Sequence, residues 1–96
     1  MKYSLLSAFV HKFDSYRAAE QKVIIKVIND IKQYLTTKQV PYGLRVKKLS
    51  HKIYEVRINI HMRIAFFGDK DAVKFFCLGN NEDIQRCLKS FRKRLK

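Results

Sequence analysis

Alternating polar and apolar residues in two adjacent segments constrain the fold of this chain most tightly. Apolar side chains occupy every second position in residues 53–60, and residues 62–67 alternate in nearly the same way. Such alternation is typical of strands that bury one face. A three-residue loop at 59–61 brings the two apolar sets onto one face, whereas a two-residue loop sets apolar side chains opposite polar ones. The sequence therefore predicts a hairpin in which Arg57 lies opposite Arg63.

This pairing of two arginines is unfavourable unless something compensates it. Like charges directly opposite on a sheet destabilise it by roughly 0.2–1 kcal/mol. An anion such as a phosphate that bridges Arg57 and Arg63 would remove the penalty. The alternative is two solvated arginines that point away from each other on an exposed sheet face.

Other parts of the chain have the three- and four-residue apolar spacing of amphipathic helices. Residues 15–38 predict a long helix, and residues 7–13 predict a shorter helical segment before it. A second clear stripe runs through residues 84–95, with Asn80 or Asn81 as the N-cap and acidic residues in the first turn. We therefore expect helices at both ends of the chain.

Strand-like segments complete the pattern. Residues 44–49 and 72–78 are rich in strand formers, and residues 3–6 are a candidate short strand. The order predicts an α+β fold, with two N-terminal helices packed on one face of a small, mainly antiparallel sheet of about four strands, followed by a C-terminal helix. With 96 residues, one Pro and 47% hydrophobic content, the chain is expected to form a single domain, 1–96.

Extending the predicted pairing across a loop at 68–71 gives one apolar face and one open, charged face. In that register Arg63 lies opposite Phe76, Ala65 opposite Lys74 and Met62 opposite Cys77. The open face then combines cations, one carboxylate and an aromatic ring: Glu55, Arg57, Asn59, Arg63, Lys74 and Phe76. Cations that contact phosphates beside a ring that stacks on a base predict an RNA-binding surface. A solvated face without function is the alternative.

Net charge narrows the class of partner. The chain has 21 Lys and Arg against 8 Asp and Glu, a formal net charge of +13, so a polyanion is the expected partner. Nucleic acid comes first and an acidic protein remains open. A membrane is not expected, since no apolar span is long enough to cross one.

Few residues suggest a metal or a cofactor. His, Cys and acidic residues show no ligand spacing and the three glycines do not cluster, so neither a metal nor a nucleotide cofactor is expected. Cys77 and Cys87 fall on apolar sides of their elements, which predicts buried free thiols in a reducing compartment. The expected location is the cytoplasm.

Several of these segments, taken together, resemble the RelE/ParE toxin superfamily, and most of all its RelE and HigB branches in bacterial toxin–antitoxin systems. The resemblance lies in residues 44–49, 53–58, 62–67 and 76–84, and in the pattern L-x-x-x-x-Y-E-x-R followed by M-R-I-A-F. It implies a small sheet with two N-terminal helices on one side. It also implies a toxin that an acidic antitoxin protein inhibits.

In RelE-like members the implied activity is metal-independent cleavage of mRNA on the ribosome, so ribosome and mRNA are expected partners. The ribose 2′-OH attacks the adjacent phosphate, and the site must stabilise negative charge and move two protons. Arg63 matches the family's strand arginine and Arg57 a basic position on the preceding strand, which makes both candidate phosphate ligands. Glu55 and His61 are candidate proton-transfer groups. A structural ion pair of Glu55 with Arg57 or Lys74, and a solvated His61, are the alternatives.

Further residues are expected to contact RNA or its phosphate backbone: Lys47, Lys48, Lys52, Lys74, Phe76, Asn80, Asn81 and Arg86. The last three stand where family members present a Tyr, His or Arg for proton transfer. Two other functions stay open. One is a ParE-like toxin that poisons DNA gyrase by protein contact, and the other is a catalytically inactive RNA-binding relative.

Overall fold

The chain folds into three helices and a five-stranded sheet, seen in a computed structural model that describes residues 2–41 and 43–91 in full and the backbone of 92–95. The elements are β1 (Lys2–Leu5), α1 (Ser7–Asp14), α2 (Ala18–Thr37), β2 (Val46–Ser50), β3 (Ile53–Asn59), β4 (Met62–Gly68), β5 (Ala72–Gly79) and α3 (Asn81–Leu95). The strand order is β1-β5-β4-β3-β2, and every neighbouring pair is antiparallel except β1 with β5. The predicted α+β fold is confirmed, with a fifth strand because β1 joins the edge of β5.

The two N-terminal helices cover one face of the sheet, as the apolar stripes predicted. Phe9 of α1 and a stripe of isoleucines on α2 are buried against the even-numbered apolar side chains of β3 and β4. The fully or almost fully buried members of this core are Phe9, Ile24, Ile28, Ile31, Val56, Met62, Ile64, Phe66, Val73, Phe75 and Leu78. Each large side chain buried in this way contributes roughly 1.5–3 kcal/mol, so this face supplies most of the fold's stability.

The β3–β4 hairpin has the predicted pairs over most of its length. Arg57 lies opposite Arg63, and Val56–Ile64 and Tyr54–Phe66 pair on the core face. The prediction is wrong at the tip. A three-residue loop at 59–61 would pair Ile58 with Met62, whereas Asn59 pairs with Met62 in the structure. The pairing shifts by one residue between Arg57 and Asn59, and the turn contains only residues 60 and 61. This shift compensates for the shorter turn, so the apolar side chains of both strands still share one face.

The predicted register between β4 and β5 is wrong. Arg63 lies opposite Gly79, Ala65 opposite Cys77 and Phe67 opposite Lys74. Two local features cause the difference. Gly68 belongs to β4 and not to the loop, because the turn that follows it is tight. In this turn the backbone N–H of residue 69 donates to the carbonyl of residue 72 at 2.8 Å. A bulge between Ala65 and Phe66 then shifts the pairing by one more residue.

Helix α3 covers much of the face that was expected to be open. Its apolar stripe, Ile84, Leu88 and Phe91, forms a second core with residues from β3, β4 and β5: Ile53, Ala65, Phe76 and Cys77. The bulge allows the adjacent Phe76 and Cys77 to join the same core. The ring of Phe76 is 4% exposed and stacks on Phe91 with centroids 4.2 Å apart. The prediction of an exposed Phe76 that stacks on a base is therefore wrong.

The start of α3 is fixed by a reciprocal cap. The backbone N–H of Asp83 donates to Asn80 Oδ1 at 2.9 Å, and the N–H of Asn80 donates to Asp83 Oδ2 at 3.0 Å. Asn80 is thus the N-cap, which agrees with one of the two predicted positions. Gly79 precedes it with φ +151°, and a Cβ there would collide with the Asp83 carboxylate. The turn from β5 into α3 therefore needs glycine.

The two cysteines form a disulfide, so the expectation of free thiols is wrong. Their Cα atoms lie 6.0 Å apart, within the usual range for a bridge. Their apolar positions correctly predicted burial, but Cys77 lies opposite Ala65 in the second core and not opposite Met62 in the first. The tight turn between β5 and α3, which the sequence pattern did not define, brings the two cysteines together.

No helix in the described part of the chain combines enough length and enough apolar character to cross a membrane.

Candidate nucleic-acid interface

A charged strip remains on the α3 face where that helix does not cover β2, β3 and β4. Here Lys47 lies opposite Glu55 and Arg57 lies opposite Arg63, all on one side of the sheet by the two-residue periodicity of strands. Asn81 at the start of α3 closes the end of this group, since it contacts Arg63. We refer to these five residues as the arginine strip.

Arg63 is the anchored member of the strip. Its Nη1 donates to Glu55 Oε1 at 3.2 Å and to Asn81 Oδ1 at 3.3 Å. The side chain of Glu55 is 8% exposed and that of Arg63 is 25% exposed, so water screens this ion pair less than an ordinary surface pair. Arg63 Nε is buried and has no hydrogen-bond partner among the described residues. The guanidinium is therefore held in one place with part of its donor capacity unused.

Arg57 is the free member of the strip. Its side chain is exposed, and no hydrogen bond or ion pair joins that side chain to another described residue. The two opposed arginines therefore differ, because Glu55 compensates the charge of Arg63 and leaves that of Arg57. A bridging anion, which the sequence argument invoked to balance both cations, is not needed for the hairpin to form. An anion at Arg57 would nevertheless lie beside a second, fixed guanidinium.

Glu55 has the structural role that was the alternative to catalysis, although with another partner. It pairs with Arg63 rather than with Arg57 or Lys74. Since it is almost buried and engaged by Arg63, its carboxylate is poorly placed to take a proton from a ligand in solvent. The geometry makes Glu55 a residue that positions Arg63.

Lys47 is the outer member of the strip, and the predicted residue His61 lies near it. Lys47 is exposed beside Glu55 on the edge strand β2. His61 is exposed at the tip of the β3–β4 hairpin, where its backbone N–H donates to Asn59 Oδ1 at 2.8 Å. Their side chains are available to a ligand that follows the strip, and their roles in binding or proton transfer stay predictions.

The remaining predicted RNA contacts are not brought together with the arginines. Lys74 lies opposite Phe67, four positions along β4 from Arg63 or about 13 Å, with residues under α3 in between. Lys52 lies in the turn before β3 and pairs with Asp69 at 3.3 Å. Their placement separates both lysines from the strip.

Three further predicted residues have local structural partners or a different orientation. Lys48 is exposed and alternates to the other side of β2 from Lys47. Asn80 caps α3, as described above, and Arg86 Nη2 lies 3.4 Å from Asp83 Oδ1 on the surface of that helix. Of the polar residues at the start of α3, Asn81 is the one that belongs to the strip, through its contact with Arg63.

A groove between α1 and α3 was not predicted from the sequence. Its volume is about 640 Å³, and Phe76, Cys77 and Leu78 of β5 contribute to its wall. Lys12 of α1 approaches Asp83 of α3 across it, with Nζ 3.7 Å from Oδ2. The disulfide also faces this groove, since both of its cysteines line the cavity.

Within the described ranges, no group of three or more His, Cys, Asp or Glu side chains is close enough together to hold a metal ion.

Comparisons with known proteins support the fold. No protein-family model matches the sequence, and no curated protein matches it. Among solved structures, the chain is similar to a toxin from Helicobacter pylori, determined as a copper-bound mutant, with a TM-score of 0.61 and 18% sequence identity. The match covers 88% of this chain and 98% of that one. The chain thus shares its fold with a bacterial toxin over nearly the whole length of both.

Proposed function

We propose that this protein is the toxin of a toxin–antitoxin system and acts as a RelE-like, metal-independent endoribonuclease that cuts mRNA on the ribosome. The observation that carries the proposal is the arginine strip, in which the free Arg57 lies opposite the anchored Arg63 on an uncovered sheet surface. The shared fold with a bacterial toxin and the strand motifs of the RelE/ParE superfamily support the same function.

The strip suits a phosphodiester that changes shape and charge during cleavage. The 2′-oxygen of a ribose would form a bond to the adjacent phosphorus, and the bond to the 5′-oxygen of the next nucleotide would break. The products are a 2′,3′-cyclic phosphate and a 5′-hydroxyl, with one proton removed from the 2′-OH and one delivered to the leaving oxygen. Arg57 would contact a non-bridging oxygen, and Arg63 would stabilise the added charge from a fixed position.

His61 is the candidate for one of the proton transfers. It is exposed at the hairpin tip next to Met62 and Arg63 in sequence, and an imidazole can both accept and donate a proton. We assign Glu55 to the positioning of Arg63, because its carboxylate is almost buried and already paired with that arginine. The second proton would pass through water or the ribosome.

The net charge of +13 makes an acidic antitoxin protein the expected inhibitor. Because the same charge attracts RNA, the antitoxin and the ribosome would compete for basic surface. The cytoplasm is the compartment in which such partners meet.

One observation favours a second function, the poisoning of DNA gyrase by protein contact. The one carboxylate among the described residues of the arginine strip, that of Glu55, already forms an ion pair with Arg63. The strip could therefore bind a partner without catalysing a reaction. A protein surface could use Arg57 and Lys47 in the same way.

The proposal is tested by expressing Arg57→Ala and, as a control, Lys22→Ala in a bacterial host and in a purified translation system. Lys22 is exposed on α2, behind the other face of the sheet, so both changes remove one exposed positive charge. We expect wild type and Lys22→Ala to arrest growth and cut mRNA, and Arg57→Ala to cut at least about 100-fold more slowly. Full cutting by Arg57→Ala contradicts the site. Growth arrest with a DNA-damage response and intact mRNA indicates gyrase instead.

A further inference from the structure

The disulfide lies at the junction between the open groove and the arginine strip. Cys77 is on β5 and 1% exposed, whereas Cys87, in the second turn of α3, is only partly buried. Because both residues line the groove between α1 and α3, a small thiol can approach the bridge from solvent.

The bridge closes a covalent ring around the contacts that fix the start of α3. Residues 77 and 87 are ten apart in sequence, and the ring includes Gly79, the Asn80–Asp83 cap and Asn81. Asn81 is the residue that accepts a hydrogen bond from Arg63. The position of the anchored arginine is therefore linked, through a single side chain, to a segment that the disulfide tethers.

The same surroundings also suit the reduced cysteines. Cys77 Sγ lies 3.5 Å from the carbonyl oxygen of Asp83, which could accept a weak hydrogen bond from a thiol. Both cysteines are small and lie in or against an apolar core, as free cysteines commonly do. Ile84, Leu88 and Phe91 still hold α3 on the sheet without the bridge. Two folded forms of the protein are thus compatible with this packing.

We propose that the Cys77–Cys87 disulfide is a redox switch for the arginine strip. In the oxidised form the bridge holds the first turns of α3 on β5 and keeps Asn81 on Arg63. In the reduced form these turns open more often, Arg63 loses its Asn81 contact, and the strip binds a phosphate backbone less tightly. The last step rests on the proposed function, whereas the opening of α3 does not.

The reductant is a dithiol. Its thiolate attacks Sγ of Cys87, the less buried of the two cysteines, and forms a mixed disulfide while Cys77 leaves as a thiolate that takes up a proton. The second thiol of the reductant then attacks the reductant's own sulfur in the mixed disulfide, so that Cys87 is released and takes up the proton of that thiol. Two electrons pass to the protein, one disulfide is lost there and one is gained by the reductant.

Closing a ring of this length lowers the chain entropy of the open state enough to make opening up to about 100-fold rarer. We therefore expect reduction to raise the hydrogen-exchange rate of amides in the first turns of α3 by up to about 100-fold. Amides of α2 around Ile24 and Ile28, which the bridge does not touch, should accelerate less. Cys87→Ser should exchange like the reduced wild type, with or without dithiothreitol.

The test follows exchange by mass spectrometry in oxidised glutathione and in dithiothreitol, together with the affinity for a short single-stranded RNA. Equal acceleration of α2 and α3 indicates general destabilisation and overturns the switch, as does unchanged exchange or alkylation of both thiols in the oxidised sample. A selective change in α3 without any change in RNA affinity overturns the link to the strip. If exchange changes selectively in α3 but neither form binds RNA, the proposed opening of α3 is supported and the proposed function is contradicted.

Discussion

The two faces of the sheet are both covered by helices, yet they are built differently. The face under α1 and α2 is apolar across β3, β4 and β5, with Tyr3 of β1 and Val46 of β2 packed at its edges. The face under α3 is apolar only beneath that helix and becomes charged along β3 and β4. A helix that covers half of a face excludes water from the neighbouring charges without burying them all. Glu55 and Arg63 lie at that border, which is why one arginine is anchored while Arg57 opposite it stays free.

The largest stability loss is expected on the fully apolar face. Phe66 is 0% exposed and packs against Tyr54 and Phe75, so Phe66→Ala leaves a cavity between the sheet and α2. We expect the free energy of unfolding to fall by about 4 kcal/mol, measured by urea denaturation. A loss below about 1 kcal/mol would mean that this face is not the main core.

Phe76→Ala tests whether the second face is a real core. The ring stacks on Phe91 but borders the open groove, so the variant should lose about 3 kcal/mol, somewhat less than Phe66→Ala. Thermal or urea unfolding measures the difference. If the variant keeps wild-type stability but binds RNA more weakly, the second core is contradicted and the sequence prediction of an exposed Phe76 that stacks on a base is correct.

Arg63→Met breaks the ion pair at the border between core and strip. It leaves the Glu55 carboxylate almost buried without its partner, which should cost about 2–3 kcal/mol of unfolding free energy. The double variant Arg63→Met with Glu55→Gln should recover part of that loss, since no buried charge remains. Equal stability of the single and double variants would contradict an energetic coupling between the two residues.

The N-cap of α3 gives the smallest of these effects on stability. Asn80→Ala removes the acceptor for the Asp83 N–H and should lower the unfolding free energy by about 1 kcal/mol. Asn81→Ala, the adjacent change, should affect stability less, because its side chain contacts Arg63 rather than the helix backbone. Chemical denaturation of both variants distinguishes a cap at Asn80 from one at Asn81.

The sequence predicted what depends on local periodicity. The alternation of residues 53–60 and 62–67 was enough to place Arg57 opposite Arg63, and apolar spacing was enough to find the helices. It could not locate the bulge between Ala65 and Phe66, because a single extra residue changes the register without changing composition. The position of Lys74 was wrong because the turn after Gly68 is tighter than the predicted loop. The exposed Phe76 was wrong because α3 covers that part of the face, which the pattern of the strands does not show.

The anchor of Arg63 was missed for a related reason. Glu55 and Arg63 are eight residues apart and meet diagonally across the hairpin, and Asn81 joins them only when Gly79 lies opposite Arg63. The correct β4–β5 register would have been the signal for Asn81. The apolar positions of Cys77 and Cys87 indicated burial but not the bridge, because that depends on the tight turn into α3.

The most direct test of the central claim, that the arginine strip binds a phosphate backbone, is the affinity of Arg57→Ala and Lys22→Ala for a short single-stranded RNA, measured by fluorescence anisotropy over a range of salt concentrations. Both variants lose one exposed positive charge, and both should keep wild-type stability within about 0.5 kcal/mol. We expect Arg57→Ala to bind about tenfold more weakly with a salt slope reduced by about one, and Lys22→Ala to change little. Equal losses in the two variants would show that RNA responds only to net charge and would contradict a site at the strip.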